Sequence, residues 1–449
     1  MTGGAGRVPL REIARLAGPA LPVLAADPLY LLVDTAVVGR LGAVPLAGLA
    51  IAAVLFAQVT GQLNFLSYGT TARAARLHGA GRRAAAVGEG VQATWLALAV
   101  GLLVLGVGQL VAGPVARVLG DGGAVAAAAE SWLRVALFGA PLVLVTLAGN
   151  GWMRGVQDTA RPLRYVLAGN ALSAVLCAPL VHGLGAFAGL GLVGSAAANL
   201  VGQTVGAGLF LLALHRERAV APADEPVSLR PVPALLRAQL SMGRDLLVRS
   251  LAFQACFLSA AAVAARFGAA TVAAHQVVLQ LWFFMALVLD AVAIAAQSLV
   301  GAALGGGDVP RARALARQVG GYGLVLGTAF GVLFAALAGV LPRVFTHDPA
   351  VLAAVPAAWW FFAGMQPLAG VVFALDGVLM GAGDAAYLRT WTLAAAAGGF
   401  LPLVWASLAF GWGLVGIWTG LLLFVVLRLV AVLLRVRSGG WAVAGAVRT

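Results

Sequence analysis

The chain has 449 residues, of which 62% are hydrophobic and only 10% charged, at a mean hydropathy of +0.98. Soluble domains carry about a quarter of their residues as charges, so this composition excludes a water-soluble globular protein and implies a polytopic membrane protein. The net charge of +13 does not indicate a nucleic-acid partner: all 29 basic residues are arginines, and most occupy short gaps between apolar runs, which is a topology signal and not a binding stripe.

In chain order, Arg7, Arg11 and Arg15 precede an apolar stretch that continues past residue 35, so the N-terminus reads as a first span and not as a cleaved signal. Apolar runs of about 20 residues or more predict twelve helices, near residues 13–39, 45–75, 86–112, 123–150, 160–181, 188–214, 237–265, 271–303, 312–341, 349–380, 386–409 and 413–436. The 59 glycines suit helices that approach closely in lipid better than the alternating strands of a barrel. One long polar interruption, HRERAVAPADEPVSLRPVPALLR at 215–237, carries four prolines. It predicts a six-helix lobe over 1–214, a cytoplasmic linker over 215–236, a second six-helix lobe over 237–437 and a cytoplasmic tail over 438–449. Cys177 and Cys256 each lie in an apolar run, so no disulfide framework or Cys-x-x-Cys metal motif arises, and no cofactor or metal is implied. With both termini inside, 24 of the 29 arginines fall on inside segments and four (Arg40, Arg117, Arg266 and Arg343) fall outside. That asymmetry predicts cytoplasmic termini in the cell membrane.

The halves repeat. At a constant offset of 226 residues VVGRLGAVPLAG (37–48) lies over VAARFGAATVAA (263–274), pairing Arg40 with Arg266 and Gly42 with Gly268; Gly79 falls on Gly305. NGWMRGVQD (150–158) lies over DGVLMGAGD (376–384), pairing Gly155 with Gly381 and Asp158 with Asp384, and GLVG at 191–194 matches GLVG at 413–416 after a four-residue slip. Each half has an even number of spans, so the halves share one orientation, and parallel six-helix repeats are a transporter architecture. The fold class expected is therefore an all-α polytopic membrane protein, twelve transmembrane helices in two pseudo-symmetric six-helix lobes.

The same stretches resemble a known family. VDTAVVGRLG, WMRGVQDTARPLRYVLAGNAL, AAHQVVLQLW with LVLDAVAIAAQSLVGAALGGGD, and FALDGVLMGAGD occur in the order found in the multidrug and toxic compound extrusion (MATE) family, and look most like the branch typified by the DNA-damage-inducible protein F. The resemblance runs from about residue 10 to 437. It implies an antiporter that expels small organic, often cationic, compounds in exchange for protons or sodium ions, and not an enzyme. Its partners would be the substrate, the coupling ion and the bilayer, with the chain acting as a monomer. A lipid-linked precursor flippase or a sodium-coupled metabolite exporter of the same superfamily is the alternative. Neither H-E-x-x-H nor G-x-S-x-G occurs, which also speaks against a membrane enzyme.

Asp34 lies mid-span, where a carboxylate costs roughly 2.5–3.5 kcal/mol on insertion scales. From the residues, it is either a proton carrier or a structural acid bonded to neighbouring helices; the resemblance favours the carrier. Asp27, two turns earlier on the same face and about 10.5 Å away, is the second proton-coupling candidate or else an interfacial or kink-capping acid, with Tyr30 between them and Pro28 placed to kink the helix. In the fifth span the family pattern resembles N-x-x-x-D, whereas this chain has Ser173 and Cys177. Without that second acid a sodium site is disfavoured, since hard cations want several oxygen ligands, and proton coupling is favoured. Asn199 and Gln203 of the sixth span are cavity or packing residues, and Tyr30, Asn64, Ser173 and Cys177 are further cavity candidates. In the second half the candidates are His275, Gln276, Gln280, Asp290 and Asp376. Asp290 overlays Asn64 and Asp376 overlays Asn150, so acids stand there where the first half has amides, a pattern that would attract a cation.

Overall fold

The computed structural model describes residues 10–220 and 227–446. Arg7, Arg448 and residues 221–226 of the polar interruption lie outside the described residues. The described residues are helical apart from short connections, with no strand among them, as expected where lipid leaves backbone groups no partner outside their own helix. Among the described residues, twelve helices are long and apolar enough to cross a membrane: Arg11–Leu41, Ala43–Gly79, Arg83–Leu119, Ala124–Gly155, Ala160–His182, Leu192–Ala219, Pro233–Arg266, Ala269–Gly305, Val309–Ala336, Pro356–Gly381, Ala385–Phe410 and Gly413–Ser438. They are numbered below as the first to twelfth spans.

Several spans are not straight rods, and the sequence gives the reason. The first carries Pro19, Pro22 and Pro28 inside its helix, each removing a backbone donor. The second breaks between Gln62 and Phe65. A tenth helix starting at 349 was too long a reading: Pro349–Ala354 is a separate short helix, capped by the Asp348 side chain, and the span begins at Pro356.

The helices form two compact units, one of Gly18–Gly243 and the other of Arg244 to the end together with the described residues through Ala17. Both boundaries fall inside helices. They are 226 residues apart, the period of the repeat.

That period is written into the packing of each unit. A Cβ on Gly151 would collide with the Ser67 carbonyl, and a Cβ on Gly377 would collide with the carbonyl of Ala293. Gly155 meets Thr71 as Gly381 meets Gln297, and Gly101 sits on Pro141 as Gly327 sits on Pro367. Each contact shifts by 226 into its counterpart. Small residues here let backbones approach, which is the main source of helix association in lipid.

In the Gly18–Gly243 unit the linker is fastened down. Gln92 donates to the Arg230 carbonyl at 3.0 Å and accepts from Val232 N–H at 2.8 Å, and Trp95 Nε1 donates to the Leu229 carbonyl at 2.7 Å. Three residues before Gln92, buried Glu89 receives Arg73 in a two-pronged ion pair and Gln239 Nε2 at 2.9 Å. In the other unit the tail folds back: Trp441 is buried and Gly445 N–H donates to the Leu304 carbonyl at 2.9 Å.

Candidate functional site

The Gly18–Gly243 unit encloses a cavity of about 440 Å³. Six of the residues singled out from sequence line it: Asp27, Tyr30 and Asp34 from the first span, Asn64 from the break in the second, and Asn199 and Gln203 from the sixth. The rest of the wall mixes apolar and aromatic residues, among them Phe56, Trp132, Tyr68 and Tyr165, with polar Thr60, Ser67, Thr146, Asn150 and Asn170, and it includes one cation, buried Arg154.

The two acids differ in setting. Asp34 is only 1% exposed, whereas Asp27 is exposed. The Cys177 thiol donates to Asp34 Oδ1 at 3.3 Å, and the Ser195 hydroxyl also bonds the carboxylate. Ser195 Oγ in turn accepts Trp132 Nε1–H at 3.0 Å. Trp132 is held edge-on by Phe56, with ring centroids 6.2 Å apart. Asp34 is thus seated by a chain of donors from the fourth, fifth and sixth spans. Asp27 accepts Asn170 Nδ2–H at 3.0 Å.

Asn170, Ser195 and Trp132 were not among the residues expected from sequence. The signal for Asn170 was present: Asp27 to Asp34 and Asn170 to Cys177 are both seven-residue steps, so two helices lying side by side match both pairs at once. Ser195 and Trp132 carry no such mark. Ser173 does not reach Asp34; its hydroxyl back-bonds to the Gly169 carbonyl at 3.1 Å, and its Oγ fills the space a side chain at Gly202 would need.

The matching MatE family profile covers residues 19–180 and 246–404. The chain belongs to the MatE family. It is a multi-pass efflux transporter for drugs and toxic compounds, with relatives of the DNA-damage-inducible protein F type. Protein DETOXIFICATION 44, chloroplastic, of Arabidopsis thaliana is 34% identical over 98% of this chain and 84% of its own. DNA damage-inducible protein F of Escherichia coli (strain K12) is 30% identical over 91% of this chain and 88% of its own. A MOP superfamily transporter from Pyrococcus furiosus superposes with a TM-score of 0.83 at 22% identity, over 98% of this chain and 97% of that one. That likeness concerns the fold.

The candidates of the transporter's second half all lie in the other unit. His275 is buried against the Trp418 ring, with centroids 5.9 Å apart. Gln276 and Gln280 are exposed, and Asp290 is half-buried and partnered. Asp376 is not an acid awaiting a cation: Arg249 and Arg428 both donate to its Oδ2. Both arginines lie within spans, and Arg428 is buried.

Proposed function

We propose that this transporter is a proton-coupled antiporter that exports small organic compounds, often cationic, across the cytoplasmic membrane by alternating access, with both termini in the cytoplasm. The observation that carries the reading is Asp34, sealed from bulk water at 1% exposure yet lining a 440 Å³ cavity. An intramembrane carboxylate of this kind marks an ion or proton pathway by default.

The geometry supports a proton over sodium as the coupling ion. A hard cation wants six or so oxygen ligands, but the groups that meet Asp34 are a thiol and a hydroxyl acting as donors. Donors suit an ionised carboxylate that cycles through a protonated form. Ionised, Asp34 accepts from Cys177 and Ser195 and attracts a cationic substrate into the cavity. Protonated, it loses both its charge and part of its acceptor capacity, so the substrate is released and the donor chain must rearrange. Pro28 gives the first span a place to bend, because it leaves the Leu24 carbonyl without its helical partner. Exchange of one proton for one monovalent cation is electroneutral, so the pH gradient drives it and the membrane potential adds nothing.

The test is the purified protein in liposomes, with a pH gradient and a sodium gradient imposed separately and uptake of a fluorescent organic cation followed. Uptake is expected with the pH gradient. Uptake driven by the sodium gradient would overturn the proposal.

A further inference from the structure

The repeat lets the wall of the N-terminal cavity be carried into the second half residue by residue. At the offset of 226, Val23 becomes Arg249, Asp27 becomes Phe253 and Asn150 becomes Asp376. Beyond the four-residue slip, Gly202 becomes Phe424 and Gly206 becomes Arg428. A glycine packed against Ser173 and a glycine with room beside it are thus replaced by an aromatic ring and an arginine in the other half.

These replacements meet. Arg249 and Arg428 share Asp376 Oδ2, with side chains 13%, 6% and 5% exposed for Arg249, Arg428 and Asp376. The Arg428 guanidinium carbon lies 4.9 Å from the centroid of Phe253 and 5.6 Å from that of Phe424, and that of Arg249 lies 5.5 Å from Phe253. A buried carboxylate flanked by aromatic rings is how proteins recognise organic cations. Here the cations are the chain's own. The packing around them follows the repeat as well, because Gly377 crosses Ala293 as Gly151 crosses Ser67.

We propose that the C-terminal half retains a second organic-cation site, equivalent by the repeat to the N-terminal cavity, and that Arg428, with Arg249 beside it, occupies it as a tethered ligand. The ligand class is a monosubstituted guanidinium. In the native chain the site is closed to diffusible cations. That leaves the N-terminal cavity to receive substrate, and this half binds neither a drug nor a sodium ion at Asp376.

The experiment removes the tether and offers the free group. Wild type, Arg428→Ala and Arg428→Ala with Asp376→Asn are purified in detergent, and binding of labelled methylguanidinium is measured by equilibrium dialysis alongside thermal unfolding. Arg428→Ala is expected to take up one equivalent beyond the wild-type level, with a rise in Tm of about 2 °C at ten times Kd. The double variant should show neither effect. Should Arg428→Ala not fold, Arg249→Ala and Arg249→Ala with Asp376→Asn replace it, since Arg249 is the more exposed of the two arginines. Equal uptake with and without Asp376, or no uptake beyond wild type, overturns the proposal and makes the cluster a structural ion network only. The readout is binding and not transport, so failure here is separate from any failure of proton coupling at Asp34.

Discussion

Replacing Asp34 with asparagine separates folding from coupling. The side chain keeps its shape and one oxygen, so the Cys177 thiol keeps its acceptor, while bonds to a charged group, worth about 1.5–3 kcal/mol each, become neutral ones worth about 0.5–1.5. Against that loss, a charge no longer has to be held at 1% exposure. The two nearly cancel, so stability should change by no more than about 1 kcal/mol, and Tm by no more than about 2 °C. Coupling should not survive. Each pH unit is worth about 1.4 kcal/mol, so a gradient of two units allows one-for-one exchange to concentrate a monovalent cation about 100-fold. The variant has no exchangeable proton and should not exceed a ratio of about 1, whatever the gradient. The assay compares accumulation of a fluorescent organic cation in liposomes with an acid lumen, before and after an ionophore collapses the gradient. If Asp34→Asn still accumulates the cation, and the accumulation disappears on collapse, proton transfer through Asp34 is refuted.

Other outcomes follow from other contacts. Glu89→Gln removes the charge that receives Arg73 and should cost about 3 kcal/mol, the low end for breaking a buried pair; a Tm within 1 °C of wild type contradicts this. Gly151→Ala and Gly377→Ala should each lower stability by about 1–3 kcal/mol, because the methyl group meets backbone and not a movable side chain. Thermal unfolding of the two variants side by side checks that they match. Asn170→Leu breaks the 3.0 Å bond to Asp27, but Asp27 is exposed, so about 1 kcal/mol is expected. Gradient-driven uptake should persist in that variant, and its complete loss would make Asp27 a coupling group in its own right. Trp132→Phe loses the N–H held by Ser195 and leaves unfilled the space of the larger indole, and should cost about 2 kcal/mol in the same unfolding assay.

The spans were legible because lipid demands long apolar helices and little else resembles them. The repeat was legible because glycines at backbone crossings cannot change: Gly155 and Gly381 were visible as a pair in sequence, and the structure shows why each is needed. Asp34 stood out through its cost. Its surroundings did not, because Cys177, Ser195 and Trp132 come from three different spans, and a linear pattern does not say which helices are neighbours. Asp376 misled for a related reason. Its acidity was plain, but nothing in the linear pattern says that Arg249 of the seventh span and Arg428 of the twelfth both reach its carboxylate. His275, a site candidate in sequence, lies in an aromatic core beside Trp418.

The positions of the two unit boundaries bear on any attempt to divide the protein. The polar linker looks like the natural place to cut, but the compact units part at Ala17 and at Gly243. A fragment ending in the linker would carry an N-terminal arm that belongs with the other half, and would lack the Pro233–Gly243 arm that Glu89 fastens through Gln239. Each fragment would hold a segment that clusters with its sibling. Split expression should therefore work by complementation of the two fragments together and fail for either one by itself, as with subunits that have exchanged arms.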